Sequence, residues 1–493
     1  MTVPSGRRLF LLFLVGLLVV GAAGYWPLLR ERFVFNDDTF FWAPGHTCFD
    51  HPQTYYLAAL GRVFYPPLAC PAWLWVHTLD DLSTIRWINF ALMAAAMALF
   101  GVHLARHGMR DRDAFLLAAT MLCLPTLQGQ IILAHAFPHP IALLSAIAAF
   151  LVAERAMTRD RQARVLPLVL LSSFLLFAAT ATYTPQGMFY WAMLAVPLLW
   201  GPRLSVRQLA IGFLPALATC VAFAAFAKVC FTVAMARAAI TQDILGDHHV
   251  GITADWKKNV TYFWTRYLWL TCDLWNVSTV HTRTRRFLWI ALVGLGYVRA
   301  FTRGDGHRVL ALLCVPLSVG PLLVGPWAGT SYRMLTGLTA LILVFGAWAL
   351  VQLSHPAPRR LGSWAVTMVL AAAAVVSISA ARYNLATNVI QPTQREFARL
   401  TEGLRPVVAA PDLVSRIEVV QAPVRYRGFG SADEYGLLTS SYSQNVRGLV
   451  RAALIKRGVD EWALSNLHIV ALRASQAVTP PGEGVVRVYL SGD

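Results

Sequence analysis

Eleven apolar stretches follow one another along the chain, at approximately 9–29, 84–105, 114–133, 139–157, 165–182, 186–201, 208–232, 287–302, 308–325, 334–353 and 362–381. Each is close to the roughly 20 residues that cross a bilayer's hydrocarbon core as a helix. Within lipid every backbone polar group must be satisfied inside its own element, which leaves helices as the natural form for such runs. The expected fold class is a polytopic α-helical membrane protein with about 11 transmembrane helices. Composition agrees: 14% of residues are charged, against about 25% in soluble domains. The first run follows Arg7 and Arg8 and so imitates a signal peptide. Its length and the lack of a small-residue cleavage site before the polar loop mark it as an uncleaved first helix.

A net charge of +17 could point to nucleic acid, but no basic patch interleaved with aromatics sits on a soluble stretch. Much of the arginine lies instead in short hinges between apolar runs. Arg106, Arg110 and Arg112 share one hinge; Arg155, Arg159, Arg161 and Arg164 share another. Arg203 with Arg207, Arg299 with Arg303 and Arg308, and Arg359 with Arg360 complete the set. If the eleven runs alternate, these hinges fall on one side with Arg7 and Arg8, while the turns at 134–139 and 181–185 on the other side carry no Lys or Arg. The positive-inside rule makes the first side cytoplasmic.

The transmembrane module is then 1–381, with two long outer loops, 30–83 and 233–286. The first holds tyrosines at 55 and 56, Pro66-Pro67 and a Trp-rich piece at 73–79, which read as short interfacial helices. It also holds Cys48 and Cys70, which can pair if the loop faces an oxidising compartment. The second is rich in Trp and Tyr and carries two glycosylation sequons, at Asn259 and Asn276, read as chance matches. After Ala381 the pattern changes to an amphipathic piece at 393–404, strand-like runs at 417–421, 468–472 and 485–490, and a helix at 444–456. Residues 382–493 are expected to form a small C-terminal α/β extracytoplasmic domain.

The feature with most chemical promise is Asn36-Asp37-Asp38, an acidic pair immediately beyond the first span. Ionisable groups at a membrane surface carry a desolvation cost and are functional candidates. Adjacent side chains in an extended turn point apart, so one aspartate is expected to enter a site and the other to hold the loop. Other candidates cluster at the outer ends of later runs. His135 and His139 have the i, i+4 spacing of a metal pair, but Pro138 and Pro140 disfavour a regular turn there, so they are read as polar lining. Tyr183 and Gln186 flank Thr184-Pro185. Lys228 lies near the outer end of its run and either snorkels or binds an anion. Arg333 stands in an otherwise uncharged outer loop, against the positive-inside bias, which favours an anionic partner. The seven cysteines show no CxxC and no Cys/His cluster, and no cofactor or metal is expected.

A carboxylate base opposite a cation that can hold a leaving phosphate suits transfer of a sugar from a lipid phosphate to a hydroxyl. Arg333, with Lys228, would bind the donor phosphate, since guanidinium matches phosphate oxygens.

The many spans, the first-loop Asp37-Asp38 pair, the interfacial helices after it and the outer C-terminal domain resemble the GT-C superfamily of integral-membrane glycosyltransferases. Tyr183-Thr184-Pro185-Gln186 and Tyr332-Arg333-Met334-Leu335 look like the Tyr/Gln and Arg elements of the serotype-converting O-antigen glucosyltransferases. The resemblance implies an inverting enzyme of a bacterial inner membrane, with an undecaprenyl-phosphate monosaccharide as donor. Asp37 or Asp38 would be the base and Arg333 a phosphate contact, with His135, His139, Tyr183, Gln186 and Asn36 lining the substrate. No WWD-type motif and no Asp-Glu pair occurs in the first loop, which favours a glycan or lipid-linked acceptor over a protein. Some relatives need a divalent ion; none is expected here. The alternatives are an O-antigen ligase or polymerase, resting on His135, His139 and Arg333 rather than on Asp37, and a lipid-linked glycan flippase, which would be expected to show matched halves.

Overall fold

The computed structural model describes residues 6–42, 52–159, 162–236, 255–275, 277, 283–324, 331–354, 359–421, 435, 438–459, 464, 467–478 and 480–490. The protein is a helical bundle with a small parallel sheet at one end. Helices α1 (Gly6–Arg30), α4 (Leu79–Arg106), α7 (Pro138–Met157), α8 (Gln162–Gly187) and α10 (Val206–Ala236) are long and apolar. So are α12 (Thr336–Ser354) and α13 (Arg359–Leu385), with α11 (Arg283–Phe301) beside α12. Large apolar side chains such as Leu12, Val19, Val221 and Met368 are more than half exposed on the bundle's flanks. A bundle with that outward belt is a multi-pass membrane protein.

Seven helices among the described residues are long and apolar enough to cross a membrane, or eight if α5 (Asp111–Leu122) and α6 (Pro125–Ile132), bent by 56°, count as one span. Pro125 opens α6 and causes that bend. Three expected spans fall short. The stretch expected at 186–201 is a 12-residue helix, α9 (Phe189–Trp200), and at about 1.5 Å per residue it covers little more than half a hydrocarbon core. That expected at 308–325 is divided by Pro316 and Gly320 into short helical pieces. The stretch at 287–302 forms α11, whose ends are basic, with Arg283, Arg285, Arg286 and Arg299.

Contacts between termini sort the helices by end. Gly6 approaches Arg106, and His107 meets Glu154, at one end. At the other, Ser83 Oγ donates to the Leu29 carbonyl, Arg86 reaches the Ile132 carbonyl, and Gln186 donates to Thr336. The acidic turn belongs to this second end.

The expected break at 381 is not there. No Pro or Gly lies between Ala381 and Pro392, so α13 passes through a π turn at Ala386–Ile390 into α14 (Gln391–Gly403). The π turn stands just before Pro392, whose missing N–H removes an i−4 bond. The expected strands do form, as β1 (Arg416–Val420), β2 (His468–Leu472) and β3 (Val485–Tyr489), all parallel in the order β2-β1-β3. Helix α15 (Ser443–Lys456) is part of the crossover that a parallel β1–β2 pair requires.

The sheet and α15 share one core with the first-loop helices α2 (Pro52–Ala59) and α3 (Tyr65–Trp75). Trp42, Leu57, Tyr65 and Trp73 pack in it with Leu400, Ile417 and Val450. Gly448 of α15 lies so close to the acidic turn that an added Cβ would collide with the Thr39 carbonyl oxygen. Gly448→Ala is therefore expected to lower stability by about 1–3 kcal/mol through overpacking against backbone. Thermal unfolding in detergent measures this, and a wild-type midpoint would show that the contact is not tight.

Candidate functional site

The acidic turn is a 3-10 helix, Asn36–Trp42, entered through Asn36 in the left-handed region at φ 46°. Asparagine tolerates that conformation better than most residues. Here it is held from two sides: Asn445 Nδ2 donates to Asn36 Oδ1 at 2.8 Å, and the Asn36 N–H donates to Thr439 Oγ1 at 3.1 Å. Glu396 in turn accepts the N–H groups of Thr439 and Ser440. Asn36, expected to bind substrate, has its side chain committed to fixing the turn.

The two aspartates have opposite environments. Asp38 is fully buried, and its Oδ2 lies 2.5 Å from Nη2 of an equally buried Arg86. Its Oδ1 accepts the His135 N–H at 3.1 Å. Arg86 also donates through Nε to the Ile132 carbonyl and through Nη2 to the Phe33 carbonyl, and it covers the Phe33 ring. Burying two charges is costly unless both are paired and hydrogen-bonded, and here that condition is met on most sides. Asp38 is thus a clamp joining the turn, α4 and the end of α6. Asp37 keeps 24% of its side chain exposed, and its Oδ2 lies 3.5 Å from His135 Nε2. The His135 ring bridges the pair, with Nδ1 3.5 Å from Asp38 Oδ1.

Around this turn the other expected residues converge, with one exception. His139 stacks on Tyr183 with ring centroids 3.6 Å apart, and its Nδ1 pairs with Gln130 Oε1. Gln130 Nε2 donates to the Arg333 carbonyl at 3.0 Å. Gln186 donates to Thr336 Oγ1, which donates to that same carbonyl. Tyr183 reaches this position because α8 breaks there (φ −152°, ψ 101°). Pro185 has no N–H for the Ala181 carbonyl, which accepts the Phe64 N–H of the first loop instead. Lys228 is the exception. It is exposed on α10 with its ammonium over Phe231, and it joins none of these contacts, as snorkelling would have it.

Arg62 and Tyr65 were not singled out in the sequence, yet both belong here. Arg62 lies over the Tyr183 ring at 5.0 Å, and Tyr65 donates to the His135 carbonyl at 2.6 Å. Burial raises the phenol pKa of Tyr56 and of Tyr65; Arg62 and Arg333 oppose the rise and Asp37 adds to it. Two guanidiniums and one carboxylate thus act on the same pair of phenols. The Gly61 turn (φ 76°) that delivers Arg62 packs so tightly on Ala227 of α10 that no side chain fits. Tyr435 also reaches the site, donating to Gln128 Oε1 at 2.7 Å with its ring against Tyr332.

The chain matches no family model and no curated protein.

Arg86 is the residue whose omission matters most. An arginine inside an apolar run is costly and so marks either function or a buried partner; that signal was legible at position 86. For Gln130, Tyr65 and Tyr435 no comparable signal exists. Cys70 is disulfide-bonded, while Cys48 lies outside the described residues. Asn259 is buried with its amide donating to the Leu323 carbonyl, which agrees with reading its sequon as chance; Asn276 lies outside the described residues.

Proposed function

We propose that the protein is an inverting glycosyltransferase that moves a monosaccharide from a polyprenyl phosphate to a hydroxyl of a glycan or lipid-linked acceptor. The observation that carries this reading is the division of the acidic pair: Asp38 is consumed by Arg86, while Asp37 remains a partly open carboxylate. Asp37 takes the acceptor hydroxyl proton as the oxygen attacks the anomeric carbon from the face opposite the phosphate. The sugar–phosphate bond breaks, and the electron pair and the negative charge leave with the lipid phosphate. Arg333 and Arg62 stabilise that charge. His135 holds the Asp37 carboxylate in position. Lys228 has no part in this scheme.

The eleven-crossing topology belongs to the same proposal, with α9, α11 and the broken helix at 306–324 completing the alternation. The Arg106–Arg112 end is then cytoplasmic, and the acidic turn and the parallel sheet face the periplasm of a bacterial inner membrane.

The test is transfer from a panel of polyprenyl-phosphate sugars by purified protein. Arg333→Ala is expected to lower kcat/KM by about 100-fold, the order of one lost charge-stabilising donor. Turnover equal to wild type would remove Arg333 from the phosphate site. Absence of transfer from every donor by the wild-type protein would overturn the reaction class.

A further inference from the structure

At the opposite end of the bundle three ligating side chains meet across α4 and α7. His103 and His107 are one turn apart on the last part of α4, and Glu154 is near the end of α7. One ligand atom from each lies within 4.8 Å of the other two, the sole such trio of His, Cys, Asp or Glu among the described residues. Sequence spacing concealed it, because Glu154 is 47 positions from His107.

The hydrogen bonding of His103 is informative. Its Nε2 lies 3.0 Å from the Met193 carbonyl oxygen, which can only accept, so Nε2 carries the proton. The other nitrogen, Nδ1, then holds a lone pair. It is buried without a hydrogen-bond partner and lies 3.8 Å from Glu154 Oε1. A lone pair facing a carboxylate is repulsive unless a cation or a proton lies between them. His107 Nε2 approaches the same oxygen at 2.5 Å, so both imidazoles face one carboxylate oxygen, with all three ligand atoms within 4.8 Å of one another. Two histidines at i, i+4 on one helix face are a metal-ligand spacing. Ligands about 2.0–2.1 Å from a zinc ion in a tetrahedron are separated by about 3.3 Å, between the two separations found here. The Met193 carbonyl supplies the outer contact that fixes a ligating imidazole's tautomer and ring orientation. His107 and Glu154 keep about a fifth of their side chains exposed, so an ion has a way in and a fourth position open to water.

We propose that His103, His107 and Glu154 bind a divalent transition-metal ion of the zinc type, joining α4 to α7 at the end of the bundle away from the acidic turn. Arg106 is the charge that competes, being within electrostatic reach of His103 and Glu154. The alternative occupant of the space is a proton shared between His107 and Glu154.

The test uses the full chain in detergent, stripped with a chelator and titrated with Zn2+ by calorimetry and with Co2+ by visible absorption. A single saturable site is expected, with Co2+ showing the intense bands of low coordination number. His107→Ala and Glu154→Gln, both at partly exposed positions, are expected to weaken Zn2+ binding by more than about 100-fold, beyond the roughly 10–100-fold that loss of an outer-sphere partner costs. Their thermal midpoints without metal report whether they stay folded. Should either variant unfold, His107→Gln and Glu154→Ala serve in its place. No saturable binding to the wild type, or unchanged affinity in folded variants, overturns the site and leaves an ion pair. Sugar transfer is not the readout, so this test and that of the acidic site fail independently.

Discussion

Asp37→Asn is expected to lower turnover by about 10²–10⁴-fold, the usual contribution of a positioned general base, while leaving the protein folded. The side chain is partly exposed and its one described ionic neighbour is His135 at 3.5 Å, so neutralising it strands no buried charge. Asp38→Asn is expected to behave differently. It leaves the Arg86 guanidinium buried without its carboxylate, so its loss of activity is accompanied by a loss of folded protein. Measuring transfer and thermal midpoint together on both variants separates the roles. Equal turnover for Asp37→Asn and wild type would end its assignment as base.

The largest effect on stability is expected at Arg86. Removing one partner of a buried ion pair costs about 3–5 kcal/mol, because the other charge is left unpaired in a low dielectric. Arg86→Met removes in addition the hydrogen bonds to the Ile132 and Phe33 carbonyls, which tie α4 to the end of α6 and to the residues before the acidic turn. Its thermal midpoint is expected to fall far below that of the wild type. Pairing it with Asp38→Asn removes both charges and should recover part of the loss, since a neutral pair leaves nothing charged to desolvate. A midpoint for Arg86→Met within a degree or two of wild type, where about 1 kcal/mol moves a domain of 150–250 residues by some 2–4 °C, would show that the pair contributes nothing.

The two ends of the bundle illustrate how differently residues announce themselves. Asp37, Asp38, His135, His139, Tyr183, Gln186 and Arg333 were visible because each is a polar exception at the edge of an apolar run. The structure links His139, Tyr183, Gln186 and Arg333 through Gln130 and the Arg333 carbonyl, sets His135 between Asp37 and Asp38, and uses Asp38 as the clamp. Lys228 was the same kind of exception, yet it faces outward, because a lysine near a span's end can satisfy its charge without a partner. The exception rule applied equally to Arg86, which sits inside the span expected at 84–105.

By itself the sequence determined that the chain is a bundle of membrane-crossing helices, which ends of those helices carry polar residues, and where the three strands lie. Those properties follow from local hydropathy and periodicity, which act on each segment separately. Tertiary structure alone decided which aspartate is occupied and which is open, because their difference arises from Arg86 and the His135 N–H, 48 and 97 positions from Asp38. It alone docked α15 on the acidic turn and brought His103 and His107 to Glu154. Pairings over such separations depend on how helices pack against one another, and no pattern within a single segment encodes them.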